Sequence, residues 1–269
     1  MGVGAGWKAF DDAVVRASIV GEFANTKAGV DANIWIHQGW AMRKTGSVQD
    51  KLDSAVDTVI SRATKLVNAA VFPVLVFHGE RTVHKKETHA KRAGATGEKY
   101  ERCYLPQVLN EVRKRGFVYV VAPNESDHQL KYMESSHLVD FVLTDDTDAV
   151  VLGCAKVVHK VCWSVSTLKC NVYNRSNVTR PVDTNVVKTV VDLMRMHGDA
   201  AVRLWAMASG CDYREGKVPG LGPQMALSTI VASIQFAGSL SIRAFVMYLV
   251  TLEVVVASDA DMQILKLEQ

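Results

Sequence analysis

The sequence predicts an α/β fold, a mostly parallel sheet flanked by helices. Three observations carry this: short β-rich apolar runs recur along the chain, helical stretches separate them, and carboxylates stand where the runs end. The first run, Ala28 to Val30, ends in Asp31 and is followed by the bulky Ile34, Trp35 and Ile36. From Val48 onward, Leu52, Val56, Val59, Ile60, Ala63, Leu66, Val67 and Ala70 recur at intervals of three and four, the stripe of an amphipathic helix. Ser47, with Asp50 three residues later, forms a capping box for it. Pro73 to Phe77 is a compact run that reads as a buried strand and stops at His78-Gly79. Leu105 to Arg115 is a helix with a basic end, stopped by Gly116. Phe117 to Ala122 is a strand ended by Pro123, Asn124 to Ser136 a helix opening after that proline, and Val139 to Leu143 a strand that runs into Thr-Asp-Asp-Thr-Asp. Further on, an apolar helical stretch ends at Asp212, and Val218 to Ala226 is a glycine-punctuated turn leading into a helix from Gln224 to Ala232. The chain from Ser239 is apolar and helical at first.

Composition excludes several classes. The 269 residues are 48% hydrophobic and 22% charged, with 31 Lys and Arg against 28 Asp and Glu for a net charge of +3, so collagen-like, disordered and coiled-coil readings fall away. No apolar run reaches a membrane span: the longest, Ala244 to Val256, is interrupted by Thr251 and Glu253. The start has no cationic region followed by an apolar core, so no secretory signal is expected there. Cys103, Cys154, Cys162, Cys170 and Cys211 contain no CxxC pair, which argues against a disulfide framework or structural zinc and for reduced, mostly buried thiols. Met194, Met196 and Met207 read as core filler, and His128 and His137 as surface groups. The small net charge hides a basic run from Arg81 to Arg102, with seven Lys or Arg against three Glu. Three regions are expected: an N-terminal segment over 1–95, a second segment of the same α/β domain over 96–212, and a helical extension over 213–269.

What stands at the strand ends points to chemistry. Asp31, His78, Glu125 with Asp127, and Asp146 with Asp148 all lie at or just past the C-terminal end of an expected strand, the edge where ligands bind in parallel sheets. Carboxylates gathered so closely raise one another's pKa unless a cation compensates. A donor set rich in oxygen and without Cys suits hard ions such as Mg²⁺ or Mn²⁺, and such sites commonly hold two ions and cut phosphodiesters by in-line displacement. At Gly220 and Gly222 the backbone can approach a phosphate closely, and the helix N-terminus that follows favours an anion.

The blocks AGVDANIWIH, FPVLVFHGE, VAPNESDHQLKYM, VLTDDTDAVVLG and MASGCDYREGKVPGLGPQMAL, in this order, resemble the flap endonuclease and xeroderma pigmentosum G-type superfamily of structure-specific 5′ nucleases, nearest its exonuclease 1 branch. The resemblance runs from Gly2 to about Ile230. It implies a PIN-like nuclease core with a helix-two-turn-helix C-terminal subdomain, and an activity hydrolysing DNA at a 5′ end, gap or flap during repair or replication. The metal ligands it implies are Asp31, Glu125, Asp127, Asp146, Asp148 and Asp212, with His78 at a seventh ligand position, holding two Mg²⁺ or Mn²⁺. Lys85 and Arg92, seven and fourteen positions after His78, match the family's catalytic cations near the scissile phosphate. Gly2, His37, Arg81, Lys86, Lys91, Gly220, Gly222 and Gln224 fall where the duplex is gripped, His37 at a position that stacks on substrate and the Gly220-Leu-Gly222 turn at one that often holds K⁺. A nuclear, monomeric enzyme acting on duplex DNA and no membrane is expected, and no sliding-clamp peptide of the QxxLxxFF kind is seen before Gln269.

Two departures stand out. The family's Phe-Asp-Gly is Phe77-His78-Gly79 here, an imidazole in place of a carboxylate. Only twelve positions separate Arg92 from Tyr104, where flap endonucleases carry a long helical arch, so a shortened arch is expected. Two alternatives stay open on these grounds: a weakened or inactive relative serving as a nucleic-acid or protein-binding platform, and an RNA-directed nuclease of the same fold.

Overall fold

Continuous apolar runs can be buried on both faces only in the middle of a sheet, and that is where they go in the computed structural model. The structure describes residues 6–43, 45–79, 105–178, 186–211, 218, 220–252, 254–255, 259 and 264. Seven strands, β1 (Val14–Ser18), β2 (Lys27–Asp31), β3 (Phe72–Phe77), β4 (Val118–Val121), β5 (Phe141–Leu143), β6 (Lys156–His159) and β7 (Lys169–Asn174), lie in the order β1-β7-β6-β5-β2-β3-β4. β2 runs parallel to β3 and β5, β3 to β4, and β5 to β6. The expected mostly parallel sheet therefore forms, with β2 near its middle. Its register pairs Asp31 with Val76, Phe77 with Val121 and Leu143 with Val158, so these strands all finish at one edge.

The chain divides into two compact units that interleave along the sequence, one of residues 15–145 and 154–173, the other of 1–14, 146–153 and 174–269. The first holds the sheet. Helices α1 (Ala32–Met42), α2 (Val48–Asn68) and α3 (Leu105–Lys114) bury Trp35, Ile36, Leu52, Val59, Leu66, Val108 and Val112 in one cluster with Ala28, Val30, Leu75, Phe77 and Phe141 of the strands. The capping box expected for α2 is present, Ser47 Oγ accepting from Asp50 N at 3.1 Å while Asp50 Oδ2 accepts from Ser47 N at 2.8 Å. Side chains alternate along a strand, so Gly29, between Ala28 and Val30, points the other way. A Cβ there would stand 3.0 Å from Leu130 and 3.1 Å from Val139, which is why the residue facing α4 (Ser126–Ser135) is glycine. Glu134 ties the end of α4 to the start of β6, its carboxylate accepting from Ala155 N and Lys156 N at 2.8 Å each.

The second unit is helical. It comprises a 3-10 turn (Gly6–Ala13), α5 (Asp148–Val151), α6 (Arg175–Val178), α7 (Val190–Ser209), α8 (Pro223–Ala237) and α9 (Ile242–Thr251). Phe10 packs edge-on against Trp205 of α7 with centroids 6.1 Å apart, and the Trp205 indole N–H donates to Pro223 O at 2.9 Å, joining α7 to the start of α8. Arg175 and Asp199 pair at 2.7 Å. No single described helix is long and apolar enough to cross a membrane.

Strands β1, β6 and β7 and helix α1 have no counterpart in the sequence reading. Two smaller expectations are corrected as well: Met196 is 43% exposed and so is not core filler, and among the described cysteines only Cys154 and Cys170 are buried, Cys162 being exposed.

Candidate metal and nucleic-acid site

In the sheet unit, topology carries Asp31, His78, Glu125 and Asp127 to the C-terminal edge of β2, β3 and β4. Asp31 is the last residue of β2 and the N-cap of α1, its Oδ1 accepting from Asn33 N at 3.2 Å. Thr144 donates to its Oδ2 at 3.2 Å and Ser126 Oγ to its Oδ1 at 3.3 Å. Glu125 is the N-cap residue of α4, and Asp127 lies in the first turn of that helix, where the backbone dipole favours negative charge. All three carboxylates are buried. Burial, and then repulsion from Asp127, raise the pKa of Asp31; the hydrogen bonds from Thr144 and Asn33 offset this only in part.

His78 follows β3, and its Nδ1 accepts the backbone N–H of Ser126 at 2.9 Å. Glu125 Oε2 lies 3.7 Å from the same nitrogen. A protonated Nδ1 would make that approach an ion pair and would draw Asp31 down. An Nδ1 that accepts an N–H carries no proton, so the hydrogen bond decides for the neutral ring and the upward pressures on Asp31 prevail. Gly79 lets the chain pass close to the β4 loop: its N–H donates to Asn124 O at 2.7 Å, and a Cβ would collide with Ala122 O at 1.7 Å.

Three buried carboxylates, one of them held against its tendency to ionise, are a donor set that fits a hard divalent cation. Asp31, Glu125 and Asp127 would hold it. Among the described residues no three His, Cys, Asp or Glu side chains are drawn together as a cage, and Asp31 and His78 are held by hydrogen bonds of their own.

The helical unit carries Asp146, Asp148 and the glycine turn. Asp146 Oδ1 accepts from Asp148 N at 3.1 Å, and Asp148 is buried in the first turn of α5. In the turn before α8, Gly220 has φ +80°, a conformation that favours glycine, and Gly222 is the N-cap. A Cβ at either glycine would meet nothing within 4 Å, so the backbone here is open to a ligand. Gln224, in the first turn of α8, is exposed. His37 is half-buried on α1, His128 exposed on α4, and His137 exposed with φ 56° just past it. Gly2, Arg81, Lys85, Lys86, Lys91, Arg92 and Asp212, with the shortened arch, lie outside the described residues.

Sequence reasoning missed a second group of polar residues on the sheet unit. Arg62 of α2 is buried, its guanidinium 5.0 Å from the Trp163 ring centroid and 5.8 Å from that of Trp35, and it donates to Gln38 Oε1. Gln38 Nε2 in turn donates to Asp145 Oδ2 at 3.0 Å, and Lys160 N donates to Asp145 Oδ1 at 2.7 Å. Gln38, Arg62, Asp145 and Trp163, with Ala41, Met42 and Val161, line an open cavity of about 420 Å³. The available signal was a cation on the stripe of α2, three residues after Val59 and four before Leu66.

The XPG N-terminal domain model matches residues 1–99 and the XPG I-region model residues 116–212, between them most of the chain. The exodeoxyribonuclease 1 of Schizosaccharomyces pombe is 27% identical over 238 residues, covering 79% of this chain and 39% of the relative. The exonuclease 1 of Oryza sativa subsp. japonica is 28% identical over 232 residues, covering 75% and 26%. The chain thus spans well under half the length of these relatives. Among solved structures, the catalytic core of Rad2 in complex with DNA substrate superposes with a TM-score of 0.70 at 20% identity, over 100% of this chain and 81% of that one. Flap endonuclease-1 from Methanococcus jannaschii does so with 0.61 at 18% identity, over 96% of both. These two share the PIN-like nuclease fold with this chain. With both domain models in sequence order and exonuclease 1 proteins among its relatives, the chain belongs to the XPG and flap endonuclease superfamily of structure-specific 5′ nucleases, on its exonuclease 1 branch.

Proposed function

We propose that the chain is a divalent-metal-dependent 5′ nuclease that hydrolyses DNA phosphodiesters at a free 5′ end, gap or flap, in repair or replication in the nucleus. The observation that carries this is the buried Asp31 carboxylate, crowded by Asp127 and held by Thr144, a charge arrangement that calls for a cation. Family membership supports the same reading, as do the names of relatives such as the Schizosaccharomyces pombe exodeoxyribonuclease 1.

In this reading Asp31, Glu125 and Asp127, with Asp146, Asp148 and Asp212, hold two Mg²⁺ or Mn²⁺. When bound, the ions supply the Lewis acidity that two-metal phosphodiester cleavage requires. Lys85 and Arg92 stabilise charge developing on the phosphoryl group. His37 stacks on a base, and the open Gly220–Gly222 turn takes backbone phosphate, with K⁺ at the turn and the start of α8 favouring the anion. Such contacts read shape and ends, not base sequence. Gly2, Gln224 and the basic residues Arg81, Lys86 and Lys91 add backbone contacts, so duplex affinity should fall more than about tenfold between 50 and 200 mM salt.

The test is cleavage of a 5′-labelled duplex with a recessed or flapped end, titrating Mg²⁺ and Mn²⁺, with Asp127→Asn and Asp146→Ala beside the parent and a matched RNA substrate. Cutting by the parent and loss in both variants is the expected result. A parent inert with both metals that still binds duplex ends would turn the reading to a binding platform, and preference for the RNA would turn it to an RNA-directed nuclease.

A further inference from the structure

We propose that His78 is a hydrogen-bond donor to a substrate phosphate oxygen and not a ligand of the divalent ions, an inference that rests on the nuclease reading above. One of its two nitrogens is already committed. Nδ1 accepts the N–H of Ser126 at 2.9 Å, and Ser126 is fully buried and opens α4. That N–H is one of the donors a helix start leaves without an intrahelical partner, and leaving it unpaired in a buried position is costly. The ring is therefore held by its Nδ1 edge.

An imidazole whose Nδ1 lone pair is engaged in this way is the Nε2–H tautomer. Neither nitrogen then offers a lone pair to a cation. The Nε2–H has no hydrogen-bond partner among the described residues, and the side chain is 40% exposed. The Nδ1 edge is taken up by Ser126, with Oε2 of Glu125 3.7 Å away, so the ring turns its other edge, the one that carries Nε2, away from both. An outward N–H donor thus stands at the strand-end edge beside the buried carboxylates. A carboxylate in its place would repel a phosphate, whereas the N–H attracts one. The ligand that suits both an unpaired donor and a neighbouring cation-holding acidic cluster is an anionic oxygen, a phosphodiester or a 5′-phosphate.

The test uses the full chain and His78→Asn. The Asn side-chain oxygen can still accept from Ser126, while the outward donor at Nε2 is gone. Mn²⁺ binding is measured by calorimetry, and binding of a 5′-phosphorylated duplex by fluorescence anisotropy in Ca²⁺, with and without a methylphosphonate at the terminal linkages. Nitrogen NMR of ¹⁵N-histidine-labelled parent reads the tautomer directly. The expected result is a protonated Nε2 and bare Nδ1, unchanged Mn²⁺ affinity in His78→Asn, and about tenfold weaker duplex binding, the lower end for a hydrogen bond to a charged acceptor. That loss should vanish on the methylphosphonate duplex. A fall of Mn²⁺ affinity in His78→Asn would make His78 a ligand and overturn the proposal, as would duplex binding equal to the parent's. If the parent itself binds no duplex, the nuclease reading fails and takes the phosphate role with it, which is a different result from failure in the variant alone.

Discussion

At the β2–β3–β4 end of the sheet's C-terminal edge, Asp31, Glu125 and Asp127 are buried close enough that Asp127 pushes Asp31 upward. At the β5–β6 end the same edge carries Asp145, but there it accepts from Gln38 and from Lys160 N, and the buried Arg62 completes the chain of bonds through Gln38. One end accumulates negative charge in a buried place; the other matches it. Crowding like charges in a buried place lowers stability, so a protein keeps such a cluster where it serves binding or catalysis, whereas a network that joins opposite charges is scaffold. The two ends should therefore respond to mutation with opposite sign.

The largest effect is expected at the matched end. Arg62→Ala removes a buried guanidinium from between two tryptophan rings and strands Gln38 Oε1. Stability in urea should fall by about 3 kcal/mol, and Arg62→Met should restore part of it through the packing of its stem. A loss under about 1 kcal/mol in Arg62→Ala, typical of an exposed charge, would break the comparison.

The next effect is read with pH. His159 ends β6 and is buried; burial first, and Lys160 second, push its pKa down to about 4 from 6.5, with Asp145 pulling the other way. The folded value lies below the unfolded one, so the stabilising contribution is complete above pH 6.5 and is lost as pH falls through 4. Over that window the chain should lose up to about 3 kcal/mol, at roughly 1.4 kcal/mol per pH unit. His159→Gln should flatten this part of the profile in acid titrations followed by circular dichroism. An unchanged slope would assign the acid loss to other groups.

How much of this was legible follows from where each residue's constraint is local. β3, β5 and the end of β2 could be read because a centre strand buried on both faces is continuously apolar, and α2 because its stripe and its Ser47–Asp50 box are contained in its own sequence. β1, β6 and β7 could not: Val-Val-Arg-Ala-Ser, Lys-Val-Val-His and Lys-Cys-Asn-Val-Tyr-Asn mix charged and apolar residues. Helix α1 hid for the opposite reason, being apolar on several sides and so without a stripe; its start was marked only by the Asp31 cap on Asn33. The carboxylates were found because strand ends are a local property. That Nδ1 of His78 is taken by Ser126, 48 residues away, or that Arg62 reaches Gln38, depends on packing between distant segments and leaves no local mark.

The smallest effect, and the one of opposite sign, is expected at Asp31. Its folded pKa is raised above 3.8, so the stabilising contribution is complete below 3.8 and is lost as pH rises through the raised value; once ionised, Asp31 is a net cost in the metal-free protein. Asp31→Asn removes the charge but keeps the shape. Asn33 N and the Ser126 hydroxyl can still donate to its oxygen, and the Thr144 hydroxyl, which donates now, can rotate to accept from its amide. In EDTA the variant should therefore be more stable than the parent, by about 1 kcal/mol. Saturating Mg²⁺ should reverse the order, because an ion at about 100 times its Kd stabilises the parent by about 2.7 kcal/mol and the variant by much less. The crossing of two urea midpoints on adding Mg²⁺ requires no turnover to observe. A variant less stable than the parent in EDTA would mean that Asp31 is charge-matched after all, and that the two ends of the edge are built alike.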